Sequence, residues 1–222
     1  MSISKTPENI RNMFNMIAKK YDFMNNIMSF GFHKLIKKDC VKLLGIKPHS
    51  KILDACCGTG DFSFLIKQKE NLADVVGVDF SSNMLEIARK RVENVEFLEG
   101  DVTELNFSDN TFDFILMGFG LRNIANQEKA LKEIYRVLKP GGEFLQLDFG
   151  RKNFASKFFD FEAPIFAKFF FKNSSPYEYL IKSKRVFPEP QELIKDYEKC
   201  GFKFKLLKNY LFGVISAQVM KK

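Results

Sequence analysis

Apolar and polar positions alternate in two ways along the middle of the chain, and the changes between them predict strands separated by helices. Segments in which apolar side chains have helical spacing follow the first, second and fourth of the predicted strands. The last of these helices extends from Gln127 to Leu138, where Pro140–Gly142 stops it. Strands that alternate with helices favour a doubly wound, mostly parallel α/β sheet with its ligand at the carboxyl ends of the strands. The predicted strands are 51–55, 75–79, 95–98, 112–117 and 143–148.

The two ends of the chain depart from this alternation. The amino-terminal end shows helical spacing before the first strand, and the carboxyl-terminal end shows a Phe-rich insertion, then a helix and an antiparallel pair of strands. We therefore expect one domain over residues 1–222. Its predicted parts are a helical extension or lid at 1–48, a cofactor-binding core at 49–150, a helical lid that faces substrate or membrane at 151–190, and closing elements at 191–222.

Composition narrows the class of protein. A chain of 222 residues with 45% hydrophobic and 28% charged residues fits one globular domain and excludes a disordered or collagen-like chain. No apolar run approaches the roughly 18–20 residues of a transmembrane helix, and Met1–Phe14 lacks the apolar core of a signal peptide. The four cysteines lack metal-ligand spacing, which predicts a reduced, cytoplasmic protein without a metal site. They are Cys40, Cys56, Cys57 and Cys200.

The net charge of +8 is unevenly spread. Residues 1–50 sum to +6, residues 51–150 to −6, and residues 151–222 to +8. A basic protein raises nucleic acid or an anionic membrane as a partner. The acidic middle indicates that the core binds one kind of ligand while the flanks face another surface.

A glycine-rich turn between the first strand and the next helix carries the strongest local signal. It spans Asp54–Asp61, and Gly58 and Gly60 let the backbone approach a ligand beside the free N–H groups of a helix terminus. The alternative is a tight strand-to-helix turn that binds nothing.

Acidic residues in this turn discriminate between nucleotide ligands. A dinucleotide site requires Gly-x-Gly-x-x-Gly or Ala around a pyrophosphate, but Ser63 stands at the third position and Asp61 would repel the pyrophosphate. S-Adenosylmethionine has no phosphate and carries a sulfonium and an ammonium group, so Asp54 and Asp61 would attract it. The pattern favours S-adenosylmethionine over a nicotinamide dinucleotide.

Carboxylates also follow the next two strands. Asp79, at the end of the second strand, is placed to accept hydrogen bonds from both ribose hydroxyls. Asp101, together with the backbone amide of Val102, is placed after the third strand to hold the adenine edge. Acidic groups at successive strand ends make a ligand-free turn the weaker interpretation.

The fourth strand ends in Gly118–Asn123, where a methyl acceptor would meet the cofactor. Amine- and base-methylating enzymes that resemble this fold carry an Asn- or Asp-Pro-Pro-aromatic run here, and its absence argues against nucleic-acid bases as acceptors. A surface salt bridge is the alternative role for Arg122.

These segments resemble the ubiquinone/menaquinone biosynthesis C-methyltransferases, which are class I enzymes dependent on S-adenosylmethionine and have a Rossmann-like sheet. The resemblance covers nearly the whole chain. The matching segments are Phe14–Asp22, Asn25–Gly31, Asp54–Asp61, Gly118–Asn123, Tyr135–Gly142, Tyr177–Leu180 and Phe187–Pro188.

The resemblance implies methyl transfer to a ring carbon of a polyprenylated quinol, demethylmenaquinol or the benzoquinol of the ubiquinone pathway. Two departures from the family stand out: Gly118 where serine is frequent, and Asp148–Gly150 where many members have Glu-Phe-Ser. The cofactor-binding positions expected from the residues and the resemblance together are Asp54, Gly58, Thr59, Gly60, Asp79, Asp101, Val102 and Gly118.

For catalysis we expect Arg122 to stabilise an oxyanion, Asn123 to orient the ring and Tyr21 to close over it. Neither histidine is placed as a base. A prenyl tail implies transient membrane contact, for which Phe154–Phe171 is the expected segment unless its phenylalanines build the core of the lid. A homodimer stays open, and nucleic acid is not expected as a partner. The other candidate functions are a methyltransferase for another small acceptor, a nicotinamide oxidoreductase and a non-catalytic basic module.

Overall fold

The computed structural model describes residues 6–29, 31–154, 156 and 175–222. Within these ranges one seven-stranded sheet has the order β3-β2-β1-β4-β5-β7-β6. The first five strands are parallel, and β7 pairs antiparallel with both β5 and β6. The strands are β1 (Lys51–Ala55), β2 (Asp74–Asp79), β3 (Glu96–Glu99), β4 (Phe112–Gly118), β5 (Leu138–Phe149), β6 (Lys203–Tyr210) and β7 (Ile215–Lys221). The predicted doubly wound sheet is confirmed.

Helices pack on both faces of this sheet. The described α-helices are α1 (Pro7–Met28), α2 (Phe32–Leu43), α3 (Asp61–Lys69), α4 (Ser82–Arg91), α5 (Gln127–Val137), α6 (Ser175–Val186) and α7 (Pro190–Lys199). None of the helices in the described part of the chain is both long and apolar enough to cross a bilayer.

The core lies on both sides of the central strands, which are therefore apolar in almost every position. On one face, β1, β4 and β5 pack against α5 and α7 through buried side chains such as Ile134 and Tyr197. On the other face they pack against α2 and α3 through side chains such as Val41 and Ile66. Since β2 and β4 lie on opposite sides of β1, the sheet has its switch point at the carboxyl end of β1, where a ligand crevice is expected.

The largest difference from the sequence-based bounds is in the fifth strand. The fifth strand begins at Leu138, not at residue 143, and passes through Pro140–Gly142 with a register shift opposite β4. Gly141 makes this possible because its φ of +78° suits an irregular strand. The helix α1 is continuous to Met28, although Asn25 and Asn26 lie within it.

The expected lid after the fifth strand is described only at its ends, by residues 151–154, residue 156 and α6. Most of the segment Phe154–Phe171 lies outside the described residues, so its expected role in membrane contact stays a prediction. The division of the chain into parts at residues 48, 150 and 190 stays a prediction as well.

Candidate functional site

A cavity opens at the carboxyl ends of β1, β2 and β4, at the switch point of the sheet. It encloses about 960 Å³ when the solvent at its mouth is included. Its walls come from the glycine-rich turn, the segments that follow β2, β3 and β4, and one face of α1.

The glycine-rich turn is shaped by left-handed backbone conformations. Cys56, Gly58 and Gly60 have φ values of +55°, +55° and +79°. A Cβ added to Gly58 would meet no atom within 4 Å, and Gly58 itself lines the cavity. At Gly60 a Cβ would lie 3.2 Å from Ala88 and Phe97, so this glycine lets the turn pack closely on α4 and β3. Gly58 therefore leaves open space at the cavity wall, whereas Gly60 serves packing.

Asp79 lines the cavity at the end of β2, where the sequence predicts a ribose contact. Its Oδ2 accepts the N–H of Gly58 at 2.8 Å and its Oδ1 accepts the N–H of Ser81 at 2.9 Å. Burial raises the pKa of Asp79 to about 6, and these backbone donors oppose that rise. Each oxygen keeps a second acceptor direction, so the ionised carboxylate can accept two further hydroxyl groups.

The adenine-side residues also lie where the sequence predicts. Asp101 and Val102 both line the cavity, and the Asp101 carboxylate accepts the N–H of Thr103 at 2.8 Å. Gly118 lines it from the end of β4. A Cβ at Gly118 would lie 2.7 Å from Cε2 of Phe62. This contact gives a physical reason for glycine at a position where the family frequently has serine.

Three predicted cofactor positions lie behind the cavity wall. Asp54 is buried, and its Oδ2 accepts the N–H and the Oγ–H of Ser63 at 2.9 and 2.7 Å, so it caps the first turn of α3. Burial raises the pKa of Asp54 to about 7. Thr59 donates its hydroxyl to Asp22 of α1 at 2.7 Å. With Gly60, these residues support the turn, and their direct contact with a cofactor stays a prediction.

Asp61 has protein partners that the sequence does not reveal. Its carboxylate lies 2.7 Å from Lys37 Nζ and 2.6 Å from Arg91 Nη1. Burial alone would raise the pKa of Asp61, but Lys37 and Arg91 lower it well below its usual range. The expected attraction of a cationic ligand by Asp61 is thus largely neutralised by two nearby cations.

The helix α1 forms one wall of the cavity through Pro7, Phe14 and Tyr21, which recur every seven residues and so share one helix face. The Phe14 and Tyr21 rings pack edge to face with centroids 6.2 Å apart. Asn15 fixes the helix to α4, because its Oδ1 accepts the Ser81 hydroxyl at 2.6 Å. Tyr21 therefore lies at the cavity, as the sequence predicts.

Comparisons with known proteins agree with this geometry. The model of the ubiE/COQ5 methyltransferase family matches residues 2–222. A demethylmenaquinone methyltransferase of Staphylococcus aureus strain JH9 is 41% identical over 217 residues, which cover 93% of this chain and 90% of the relative. The chain belongs to the ubiE/COQ5 methyltransferase family.

Solved structures support the same assignment. A methyltransferase of Thermotoga maritima dependent on S-adenosylmethionine, described as a possible histamine N-methyltransferase, has a TM-score of 0.74 and 25% identity, covering 96% of this chain and 99% of its own. The fold is also that of phosphoethanolamine N-methyltransferase 2 of Haemonchus contortus in complex with S-adenosyl-L-methionine, with a TM-score of 0.60, 23% identity, and 78% and 38% of the two chains covered. This protein is a methyltransferase dependent on S-adenosylmethionine.

The predicted catalytic pair of this methyltransferase divides between the cavity wall and the layer behind it. Asn123 lines the cavity, whereas Arg122 is 6% exposed and lies behind Phe119. Arg122 Nη1 donates to the Phe119 carbonyl and to Asp148 Oδ1, both at 2.8 Å. The alternative role for Arg122 was a salt bridge at the surface. Arg122 does form a salt bridge, but it is buried, so this alternative is wrong about the surface.

Two residues of the acceptor end were missed by the sequence analysis. Phe119 lines the cavity with a φ of +58°, and its carbonyl accepts bonds from both Arg122 and Asn123. Tyr179 of α6 donates its hydroxyl to Asn123 Oδ1 at 3.0 Å. The segment Tyr177–Leu180 matched the family and was the available signal for Tyr179, whereas no local pattern indicates the strained backbone of Phe119.

Proposed function

We propose that this enzyme transfers a methyl group from S-adenosylmethionine to a ring carbon of a polyprenylated quinol, with demethylmenaquinol as the acceptor. The observation that carries the proposal is the lining of one cavity. Asp79 and Asp101 follow β2 and β3 on one side of β1 and form what we call the acidic end, whereas Phe119 follows β4 on the other side and marks the aromatic end. Tyr21 of α1 also lines the cavity. The 41% identical relative, which is a demethylmenaquinone methyltransferase, supports a naphthoquinol acceptor.

The acidic end has the chemistry to hold the cofactor. Bound there, S-adenosylmethionine supplies an electrophilic methyl group on a sulfonium. Asp79 offers acceptors for the ribose hydroxyls. The Asp101 carboxylate and the Val102 backbone amide offer hydrogen-bonding groups to the edge of the adenine ring. The Gly58 backbone leaves room for close approach. The main contribution of these residues is alignment, and alignment alone supplies about 7–11 kcal/mol of rate enhancement in well-oriented reactions.

The aromatic end has the chemistry to activate a quinol ring. Loss of the quinol hydroxyl proton places negative charge on oxygen and on the ortho carbon that accepts the methyl group. The Arg122 guanidinium lies buried behind this end, where its field favours that anion and is partly offset by its ion pair with Asp148. Its Nε has no hydrogen-bond partner among the described residues. Asn123 orients the ring, and Tyr21 covers it.

The proton acceptor is a carboxylate or a water molecule in this proposal. His33 lies in α2, with its ring nitrogen 2.6 Å from Ser29 Oγ, and burial lowers its pKa to about 4. Ser29 therefore holds the His33 ring within the helical extension. A structural role therefore suits His33 better than that of a general base.

The proposal is tested by incubating the purified enzyme with methyl-labelled cofactor and a panel of reduced quinols with short prenyl tails. We expect label on the naphthoquinol ring carbon. Transfer to a demethylated benzoquinol instead would assign the ubiquinone pathway, and transfer only to unrelated small apolar acceptors would contradict the quinol proposal. Extraction of quinones from cells that lack the protein should show the same demethylated species accumulating.

A prenyl tail stays in lipid, so this proposal also has the enzyme act as a peripheral protein at the inner face of the cell membrane. The basic flanks of the chain, +6 over residues 1–50 and +8 over residues 151–222, support contact with anionic headgroups. A vesicle-dependent increase in turnover with long-tailed acceptors tests this step.

A further inference from the structure

The helix α1 has a second apolar face that points away from the cavity. Met16 and Phe23 each follow a cavity-lining residue, Phe14 and Tyr21, by two positions, which is about 200° around a helix. Met16 is 70% exposed and Phe23 is 56% exposed. The helix that walls the cavity therefore presents large apolar side chains to the outside as well.

Lysines border this outer face. Lys19 and Lys20 lie between Met16 and Phe23 in sequence and fall about 50° to either side of them on the helical wheel. Both are exposed, and neither forms an ion pair within the described part of the chain. An apolar centre with lysines at its two edges is the arrangement of helices that lie in a membrane interface.

The neighbouring helix α2 repeats the combination. Leu35 is 63% exposed and Phe32 is 47% exposed. Lys34 and Lys38 are exposed on the same helix, about 100° and 60° around it from Leu35. Four of the largest exposed apolar side chains in the described residues thus belong to the two helices of the extension.

The acidic residues of these two helices are mostly engaged inward, which leaves the outer surface positive. Asp22 accepts from Thr59 at 2.7 Å and lies 3.5 Å from Arg91. Asp39 accepts from Lys208 at 2.6 Å and from Tyr210 at 2.7 Å. These bonds neutralise the carboxylates against the rest of the protein, while the exposed lysines keep their charge.

We infer that the outer faces of α1 and α2, defined by Met16, Lys19, Lys20, Phe32, Lys34, Leu35 and Lys38 and here called the α1–α2 surface, dock together on an anionic lipid bilayer. The apolar side chains enter the headgroup region and the lysines contact lipid phosphates. Nucleic acid would satisfy the lysines but leave Met16 and Leu35 in water, so lipid fits the surface better. This inference deepens the proposed function, on which its membrane contact rests, by naming the surface that meets the bilayer. Its test needs no methyl acceptor, so the docking surface and the methyl transfer can fail separately.

The test is flotation of the full chain with vesicles of phosphatidylglycerol and phosphatidylcholine, compared with vesicles of phosphatidylcholine alone. We expect binding to the anionic vesicles that weakens as salt is raised. Lys19→Gln/Lys20→Gln should weaken this binding about 30-fold, since each lysine contributes about a factor of five at such a surface. Met16→Gln/Leu35→Gln should weaken it at least about tenfold, because the inserted apolar area is lost.

Matched controls come from the amino ends of the parallel strands, at the end of the sheet opposite the cavity. Lys203→Gln/Lys221→Gln removes the same charge at the amino end of β5, and Leu72→Gln removes a 55% exposed apolar side chain just before β2. Both should bind vesicles like the parent protein. All variants should keep the parent melting temperature and affinity for S-adenosylhomocysteine, which shows that they are folded. The lysine variant changes only exposed side chains and keeps the test informative if the apolar variant unfolds.

Three results would overturn the inference. Equal binding to neutral and anionic vesicles, or equal losses in the control variants, would remove the role of this surface. Binding to duplex DNA that exceeds vesicle binding and is lost in the lysine variant would assign a nucleic acid instead. A lipid-free dimer that Met16→Gln/Leu35→Gln converts to monomer would show that a second copy of the chain covers the surface.

Discussion

Arg122 and Asp148 form a buried ion pair beside the acceptor end of the cavity. Arg122 Nη1 lies 2.8 Å from Asp148 Oδ1, while Arg122 Nε and Asp148 Oδ2 have no partner among the described residues. Burial raises the pKa of Asp148, and the nearby Arg122 opposes that rise. Loss of one partner therefore leaves the other charged and desolvated.

This pair gives a prediction that separates stability from catalysis. Arg122→Ala should lower the free energy of unfolding by about 3–5 kcal/mol, and the further change Asp148→Ala should restore much of that loss, because it removes the uncompensated charge. Urea unfolding of the two single variants and the double variant measures the coupling.

The double variant then tests the catalytic role of Arg122. Its turnover should fall about 100-fold or more with S-adenosylhomocysteine affinity unchanged, as for loss of an oxyanion-stabilising group. Turnover within a few fold of the parent enzyme would show that Arg122 acts only in folding.

Asp79 gives a prediction about pH. Its pKa in the folded protein is raised to about 6, mainly by burial, and in the proposed function its charged form accepts the ribose hydroxyls. The carboxylate is ionised above that pH and protonates as the pH falls through it, so S-adenosylhomocysteine should bind more weakly at acid pH. Below pH 6, the dissociation constant should rise about tenfold per pH unit.

Calorimetry from pH 5 to pH 8 measures this dependence. Asp79→Asn should bind weakly at every pH in the range and lose the inflection near pH 6. Because burial raises the pKa of Asp54 to about 7, Asp54→Asn is the companion variant. If Asp54→Asn, and not Asp79→Asn, abolished the inflection, the titrating group would be Asp54.

At the scale of elements, α1 forms one wall of the cavity and is attached to the rest of the fold by a few hydrogen bonds. Asn15 accepts from the Ser81 hydroxyl and from the Asn83 N–H, at 2.6 and 3.3 Å. Ser81 in turn donates its N–H to Asp79, so the helix and the cofactor carboxylate share one hydrogen-bonded chain. The position of α1 is thereby coupled to the cofactor end of the cavity.

We predict that Asn15→Ala loosens this element selectively. Hydrogen exchange of α1 amides should accelerate and S-adenosylhomocysteine should dissociate several-fold faster, while global stability falls by only about 1 kcal/mol. Asn12→Ala is the matched control, because Asn12 lies on the same helix and is exposed. Equal acceleration of exchange in the control would contradict the coupling.

The same elements show which features were predictable from sequence. The strands, the glycine-rich turn and the rim positions Asp79 and Asp101 follow from local pattern, because strand ends in a parallel sheet meet at one edge. The bonds of Asp61 to Lys37 and Arg91 do not, since these residues are 24 and 30 positions away from it. The ion pair of buried Arg122 with Asp148 does not either, since Asp148 belongs to β5 and lies 26 positions further along the chain.

At the scale of the whole molecule, the central segment and the two flanks differ in the sign of their net charge and in their share of the cavity. The segment 51–150 carries −6 and holds most of the cavity, whereas the two flanks are basic. The extension belongs to both, because α1 lines the cavity on one side and presents Lys19 and Lys20 on the other. Ligand binding at the cavity should therefore stabilise the sheet and the extension together.

This linkage gives a prediction for thermal unfolding. A ligand that binds only the folded state at 100 times its dissociation constant stabilises it by about 2.7 kcal/mol. For a domain of this size, that corresponds to a rise in melting temperature of about 5–10 °C. S-Adenosylhomocysteine should produce this rise in a thermal shift assay, and NADH at the same concentration should not, because Ser63 stands where a dinucleotide-binding turn requires glycine or alanine. A rise with NADH alone would contradict the cofactor assignment.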